Sequence, residues 1–181
     1  MAGRGVLIDY RAYAEAKGIE YSPFSSFRIG VADIEEVAQY QGVTFRPGDI
    51  LIIRFGFTEA LGAMTPEEQT KALSTGYICG VDGTIDFAKW LWNKHFAAIA
   101  SDTMAVEAMP PMVDGKAQPF TELVLHQWCL SLFGMSLGEL WDLKALSEQC
   151  QKSQRWSFFL TSSPLNVPGL VGSPPNVLAI L

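Results

Sequence analysis

Imidazole is the side chain that titrates near neutral pH and the commonest metal ligand, so the two histidines, His95 and His126, are where chemistry is sought first. His126 lies in the apolar run Leu123-Val124-Leu125-His126-Gln127-Trp128. A histidine in such a setting is either a core group bonded to a backbone carbonyl, or a metal ligand or base facing a pocket. Glu139 stands in Leu137-Gly138-Glu139-Leu140-Trp141. A carboxylate between apolar neighbours is partly buried and needs a partner charge, a metal or a raised pKa. The plainer reading of Glu139 is a carboxylate at a helix N-terminus, favoured by the dipole. On one continuous helix, residues 126 and 139 would be rotated about 220° apart, onto opposing faces. Gly134 interrupts that helix, and a turn there could bring the two together.

The other candidates carry weaker signals. His95 follows Asn93-Lys94 at a predicted helix end, where a cation suits the dipole, and is read as structural. Asp102 ends a predicted strand, where α/β proteins place ligand groups. Glu107 follows five residues later, and either acid orients a ligand or caps a turn. The sequence contains no GxGxxG fingerprint, P-loop, HExxH or GxSxG nucleophile elbow. The three cysteines, Cys79, Cys129 and Cys150, are widely spaced and form no CxxC pair. That pattern argues against a disulfide framework, a cysteine zinc site and a Cys-His nucleophile.

These residues have to be held by elements the sequence punctuates clearly. Gly5 to Asp9 reads as a strand, and Tyr10 to Lys17 as a helix stopped by Gly18. Asp33 with Glu36 predicts a capped helix start, ended at Gly42. Arg46-Pro47-Gly48-Asp49 is a turn leading into a strand from Ile50 to Arg54. Thr65-Pro66-Glu67-Glu68 is a capping box with proline at the first helical position. A helix follows Asp82-Gly83-Thr84, and Phe96 to Ala100 is a buried strand. Phe120 to Phe133 is predicted as one apolar helix ended by Gly134, with a short helical segment within Leu137 to Cys150. Trp156 to Leu160 and Val177 to Leu181 are the closing strands, around the loop Ser162 to Gly169. Strands and helices alternate without a clean period, which gives an α/β or α+β chain with a mixed sheet.

Composition narrows the function classes. The chain has 181 residues, 49% hydrophobic and 18% charged, enough for one folded domain and unlike a disordered chain. A formal net charge of −6, with no basic run, argues against nucleic-acid binding. No apolar stretch approaches the roughly 20 residues of a membrane span, and Met1 to Asp9 is too short for a signal peptide. A soluble, cytoplasmic protein is the resulting expectation.

Several segments together resemble a known family. Arg46-Pro47-Gly48-Asp49-Ile50-Leu51-Ile52-Ile53-Arg54-Phe55-Gly56 is similar to the "PGD-hydrophobic-R-T/F-G" strand of the cyclase family, the kynurenine formamidase-like hydrolases. Ala100 to Glu107 resembles its "GID-xx-SVD" segment. Leu125-His126 with Gly134 to Leu140 resembles its stretch ending in "GE-hydrophobic". Ser163 to Gly169 and Gly172-Ser173-Pro174-Pro175-Asn176 resemble its closing "PL-N…GSP-x-N" tail. The pieces run in order through nearly all of the chain and sit nearest the fungal branch.

The resemblance implies a swivelling β/β/α fold, a single cyclase-family domain over residues 1–181, and assembly as a homo-oligomer. It implies a divalent metal, zinc or manganese, activating water against an amide, lactam or related carbonyl of a small aromatic or secondary metabolite. In the family pattern the positions matching His126 and Glu139 ligate the metal. Asp102, Asn166, Gly172 and Ser173 would contact the small-molecule substrate. The remaining ligands come from an upstream "HxGTHxDxPxH" motif that this sequence does not contain. The expectation is therefore an N-terminally truncated, C-terminal portion with half of a metal centre. The alternative is an inactive member that acts as a binding or assembly module.

Overall fold

The computed structural model describes residues 1–181. Ten strands alternate with helices: β1 (Ala2–Asp9), α1 (Tyr10–Lys17), β2 (Arg28–Ile29), α2 (Val31–Gln41), β3 (Ile50–Arg54), α3 (Phe57–Gly62), α4 (Pro66–Leu73), β4 (Gly80–Val81), α5 (Ile85–Asn93) and β5 (Ala98–Ser101). The second half adds the small hairpin β6 (Met112–Val113) and β7 (Lys116–Ala117), a 3-10 turn at Phe120–Glu122 and a π-helix at His126–Phe133. It closes with β8 (Ser136–Gly138), α6 (Lys144–Ser153), β9 (Ser157–Ser163) and β10 (Asn176–Ile180).

Six strands form one mixed sheet in the order β10-β9-β1-β3-β5-β8. The central strands β1, β3, β5 and β8 are parallel, and β9 and β10 are added antiparallel at one edge. A parallel sheet is covered on both faces, which is why its strands read as unbroken apolar runs. Successive residues part company accordingly. Ile8, Leu51, Ile53 and Ile99 face one layer, built by α1, α2, α5 and the π-helix. Leu7, Ile50, Ile52, Ala98 and Ala100 face the other, with Phe158, Leu160 and, near α6, Leu143 and Cys150. This mixed α/β architecture is the expected fold class.

Local signals mostly did what their chemistry dictates. Asp9 caps α1 by accepting the Ala12 amide, and Thr65 and Glu68 close a reciprocal capping box with Pro66 at the first position. At α2 the sequence expectation needs correction. The cap is Gly30, and Asp33 acts from the third helical position, accepting the Gly30 amide at 2.7 Å. Glu36 is thereby free of capping and accepts the Tyr13 hydroxyl.

The parallel register brings the C-terminal ends of β1, β3, β5 and β8 to one edge: Asp9 is paired with Arg54, Ile53 with Ser101, and Ala100 with Gly138. Gly138 is where β8 can approach this closely. A Cβ there would stand 2.7 Å from the Ala100 Cβ and 2.8 Å from the Trp141 ring. Overpacking of this kind costs about 1–3 kcal/mol. Gly138→Ala is therefore expected to destabilise the fold by about 1–3 kcal/mol, read as a lower urea midpoint with an unaltered denaturant slope.

Candidate functional site

Several carboxyl-bearing residues lie at or just past that edge, each in a different environment. Asp9 is buried and meets Arg54 at 2.7 Å. Arg54 in turn grips Glu59 through Nε at 2.8 Å and Nη2 at 3.0 Å, and Ser147 of α6 donates to the other Asp9 oxygen. Asp102 is fully buried and accepts three backbone amides, from Phe55 at 2.8 Å, Gly56 at 2.6 Å and Phe57 at 3.0 Å. Burial pushes it up to about 6, against those three amides. Its oxygens are taken up in shaping the turn from β3 into α3. Asp102, expected at the substrate, lines neither of the grooves described below.

His126 and Glu139 do come together. The Nε2 of His126 is 3.1 Å from Oε1 of Glu139, and its Nδ1 is 3.0 Å from Oε1 of Glu107. Glu107 also accepts the main-chain amide of His126, at 2.9 Å. Glu107 is 1% exposed, whereas the side chains of His126 and Glu139 are 28% and 35% exposed. The Glu107 carboxylate, and after it that of Glu139, raise His126 from the ordinary 6.5 to about 9 against the opposing effect of burial. The two carboxylates thus favour the protonated ring in the metal-free chain.

Two local departures from the expected secondary structure create this arrangement. The helix foreseen from Phe120 to Phe133 is instead a 3-10 turn, a break at Leu123 with extended backbone (ψ 111°), and a π-helix. In a continuous α-helix the His126 amide would bond to the carbonyl of residue 122; here Glu107 takes it. The π-helix ends at Gly134 in the left-handed conformation, as foreseen, and β8 then delivers Glu139. Glu139 follows a strand, so the helix-dipole reading of it is overturned. Spacing gave no hint of Glu107 as the third member. The available signal was its chemistry, a carboxylate set among Ala105, Val106 and Ala108.

The remaining candidates divide. Asn166, Gly172 and Ser173 line a groove of about 740 Å³ between the loop after β9 and the sheet residues Ile50, Ala98 and Leu160. An adjoining groove of about 890 Å³ is lined by Glu139, Gly172 and Ser173 together with Trp141. Asn166 therefore lies one groove away from the His126–Glu139 pair, while Gly172 and Ser173 border both. His95 is remote and structural: it adopts φ 59° just after α5, and its carbonyl accepts the Gly48 amide at 2.7 Å. The three thiols are separate and buried, and burial pushes each of them up. No helix is long and apolar enough to cross a membrane.

A family model described as "Putative cyclase" matches residues 1–108 of the 181. The chain belongs to the cyclase family. A crystal structure described as a novel cyclase superposes on all of this chain with a TM-score of 0.83 and 31% identity, over 54% of its own length. A potential metal-dependent hydrolase with cyclase activity shares the fold at TM-score 0.59 and 18% identity, covering 98% of this chain and 64% of its own. Isatin hydrolase A from Ralstonia solanacearum does so at TM-score 0.65 and 16% identity, covering 98% of this chain and 59% of its own. The chain thus spans about half to two-thirds of these solved structures. Among curated proteins none matches the sequence. The family match ends before His126 and Glu139, so their pairing stands on geometry.

The donors present fit a divalent metal in part. A separation of 3.1 Å between an imidazole nitrogen and a carboxylate oxygen suits two ligands on one ion with bonds of about 2.0–2.2 Å. A carboxylate behind the ring is the usual support for a metal-bound histidine. The fit stops at two donors: no group of three or more His, Cys, Asp or Glu residues in the chain could hold an ion.

Two outcomes follow for the metal-free chain. The His126 value in the fold, about 9, lies above the ordinary 6.5. The stabilisation it brings is therefore complete below pH 6.5 and lost as pH rises through about 9. Urea midpoints are expected to fall across that window, and His126→Gln to flatten the fall. Asp102→Ala orphans three buried amides, each worth about 1–3 kcal/mol, so it should cost at least about 3 kcal/mol by the same measurement.

Proposed function

We propose that this chain carries part of a cyclase-family hydrolytic centre, in which His126 and Glu139 hold a divalent metal, zinc or manganese, beside a groove for a small carbonyl substrate. The observation that carries the reading is the 3.1 Å approach of His126 Nε2 to Glu139 Oε1, made by residues thirteen apart in sequence. When bound, the ion would supply a water of lowered pKa for attack on an amide, lactam or related carbonyl. The chain's own residues orient and enclose. Glu139 borders the groove formed with Trp141, Gly172 and Ser173, which offers an aromatic wall to a small ring and backbone groups to its polar edge. Asn166 extends that surface in the adjoining groove.

The second reading, an inactive member acting as a binding or assembly module, is favoured by the two-donor count. It is also in keeping with the exposed apolar residues of the loop after β9, Leu165, Val167, Leu170 and Val171.

Calorimetric titration of the purified chain with zinc and with manganese separates the two. The hydrolase reading expects binding that His126→Ala abolishes, and metal-dependent turnover of an aryl formamide or of isatin that the same change removes. Absence of binding near micromolar, with a concentration-dependent oligomer in sedimentation, selects the assembly module.

A further inference from the structure

Glu107 is an unusual group to find in this position. It is 1% exposed, in a segment flanked by Ala105, Val106 and Ala108, which are themselves buried. Packing would be served better there by an apolar side chain, because an ionised carboxylate out of water is costly unless it is bonded. Its single oxygen Oε1 takes two donors from one residue, the main-chain amide of His126 at 2.9 Å and the ring Nδ1 at 3.0 Å. A contact that held only the fold together would need the amide alone. Gripping amide and ring at once fixes the rotation of the imidazole relative to its own backbone.

The surroundings hold Glu107 in that pose. Val106 adopts φ +56°, a left-handed conformation that a β-branched residue rarely enters. Such conformations persist only where neighbouring structure enforces them. Here β4 does so: Val81 donates to the Val106 carbonyl at 2.9 Å and accepts the Ala108 amide at 2.9 Å. The Arg28 guanidinium fastens the far side by donating to the carbonyls of Ala108, at 3.1 Å, and Pro110. The second carboxylate oxygen fills the space over Gly83, where a Cβ would stand 2.2 Å from Oε2. Gly83 is thus a seat for the carboxylate, and no larger residue leaves room for it.

We propose that Glu107 is a positioning residue: with left-handed Val106 behind it and Gly83 beneath it, it keeps the proton on Nδ1 of His126 and turns Nε2 toward Glu139. The proposal rests on the hydrolase reading only in taking Nε2 as the working nitrogen; the clamp itself is a property of the metal-free chain. Glu107 acts through His126 and touches neither ion nor substrate.

The test uses the whole chain and the ring protons of its two histidines, with His126→Gln to assign the signals. In the wild type, the Nδ1 proton of His126 is expected downfield and slow to exchange, and the His126 amide protected. Glu107→Gln keeps the volume but offers a neutral acceptor, which binds a donor less strongly than a charged one. It should move the ring proton upfield and speed its exchange at least about tenfold. Gly83→Ala leaves Glu107 present but displaces its carboxylate, and should reproduce the change; Glu107→Asp, one methylene short, should not restore the wild-type signal. Unchanged ring-proton and amide exchange in Glu107→Gln and Gly83→Ala overturns the proposal.

Zinc titration run alongside separates this result from the fate of the hydrolase reading. Where the wild type binds, Glu107→Gln should weaken binding by about tenfold to a hundredfold, and an unchanged affinity counts against the clamp. A wild type that binds no zinc, in a chain whose ring proton still responds to both substitutions, sinks the hydrolase reading and leaves the role of Glu107 standing.

Discussion

A carboxylate removed from water must find donors, and the arrangement of this molecule follows from how three such groups find theirs. Asp9, Asp102 and Glu107 are each no more than 1% exposed. An isolated buried charge is costly enough that a fold must supply partners or neutralise the group. Asp9 obtains a guanidinium from the neighbouring strand and a hydroxyl from α6. Asp102 obtains three consecutive amides of the loop after the neighbouring strand β3. Glu107 obtains a histidine, ring and backbone together. Each solution ties down one connection near the C-terminal edge of the parallel strands.

That edge is where parallel sheets of this class offer their ligand sites, and it is where His126 and Glu139 meet. Neither is delivered by a long regular element. His126 begins a π-helix whose first amide is diverted to a side chain, and Glu139 leaves a three-residue strand that pairs with β5. π-helical turns are frequent at functional sites because the widened turn re-aims a side chain that an α-helix would direct elsewhere. His126 and Glu139 thus lie on short, irregular segments beside the sheet, with Glu107 behind the ring.

Membership of the cyclase family and a shared fold with metal-dependent hydrolases give this geometry a context, yet the chain spans only 54% of the structure it matches at TM-score 0.83. The donors it contributes amount to one imidazole and one carboxylate. Its grooves lie against the sheet face that carries Ile50, Ala98 and Leu160, under a loop whose apolar residues are largely exposed. The ring of His126 is held in place by the Glu107 carboxylate behind it.

The sequence by itself determined the elements whose signals are local. Unbroken apolar runs specified the buried parallel strands, Thr65 to Glu68 specified a capped helix, and Gly134 specified the break that lets residues 126 and 139 meet. The family motifs singled out the same two residues. Other features depended on partners distant in the chain, and no spacing encodes those. Asp33 caps from inside its helix because Gly30 supplies the extended backbone. Asp102 accepts the amides of the turn between β3 and α3, 45 to 47 residues away, which its strand-end position alone does not reveal. Glu107 reaches His126 across 19 residues only because Gly83 leaves space and β4 holds Val106 in an uncommon conformation. Residue types could say that a buried acid needs a donor; only the packed fold decided which donor was within reach.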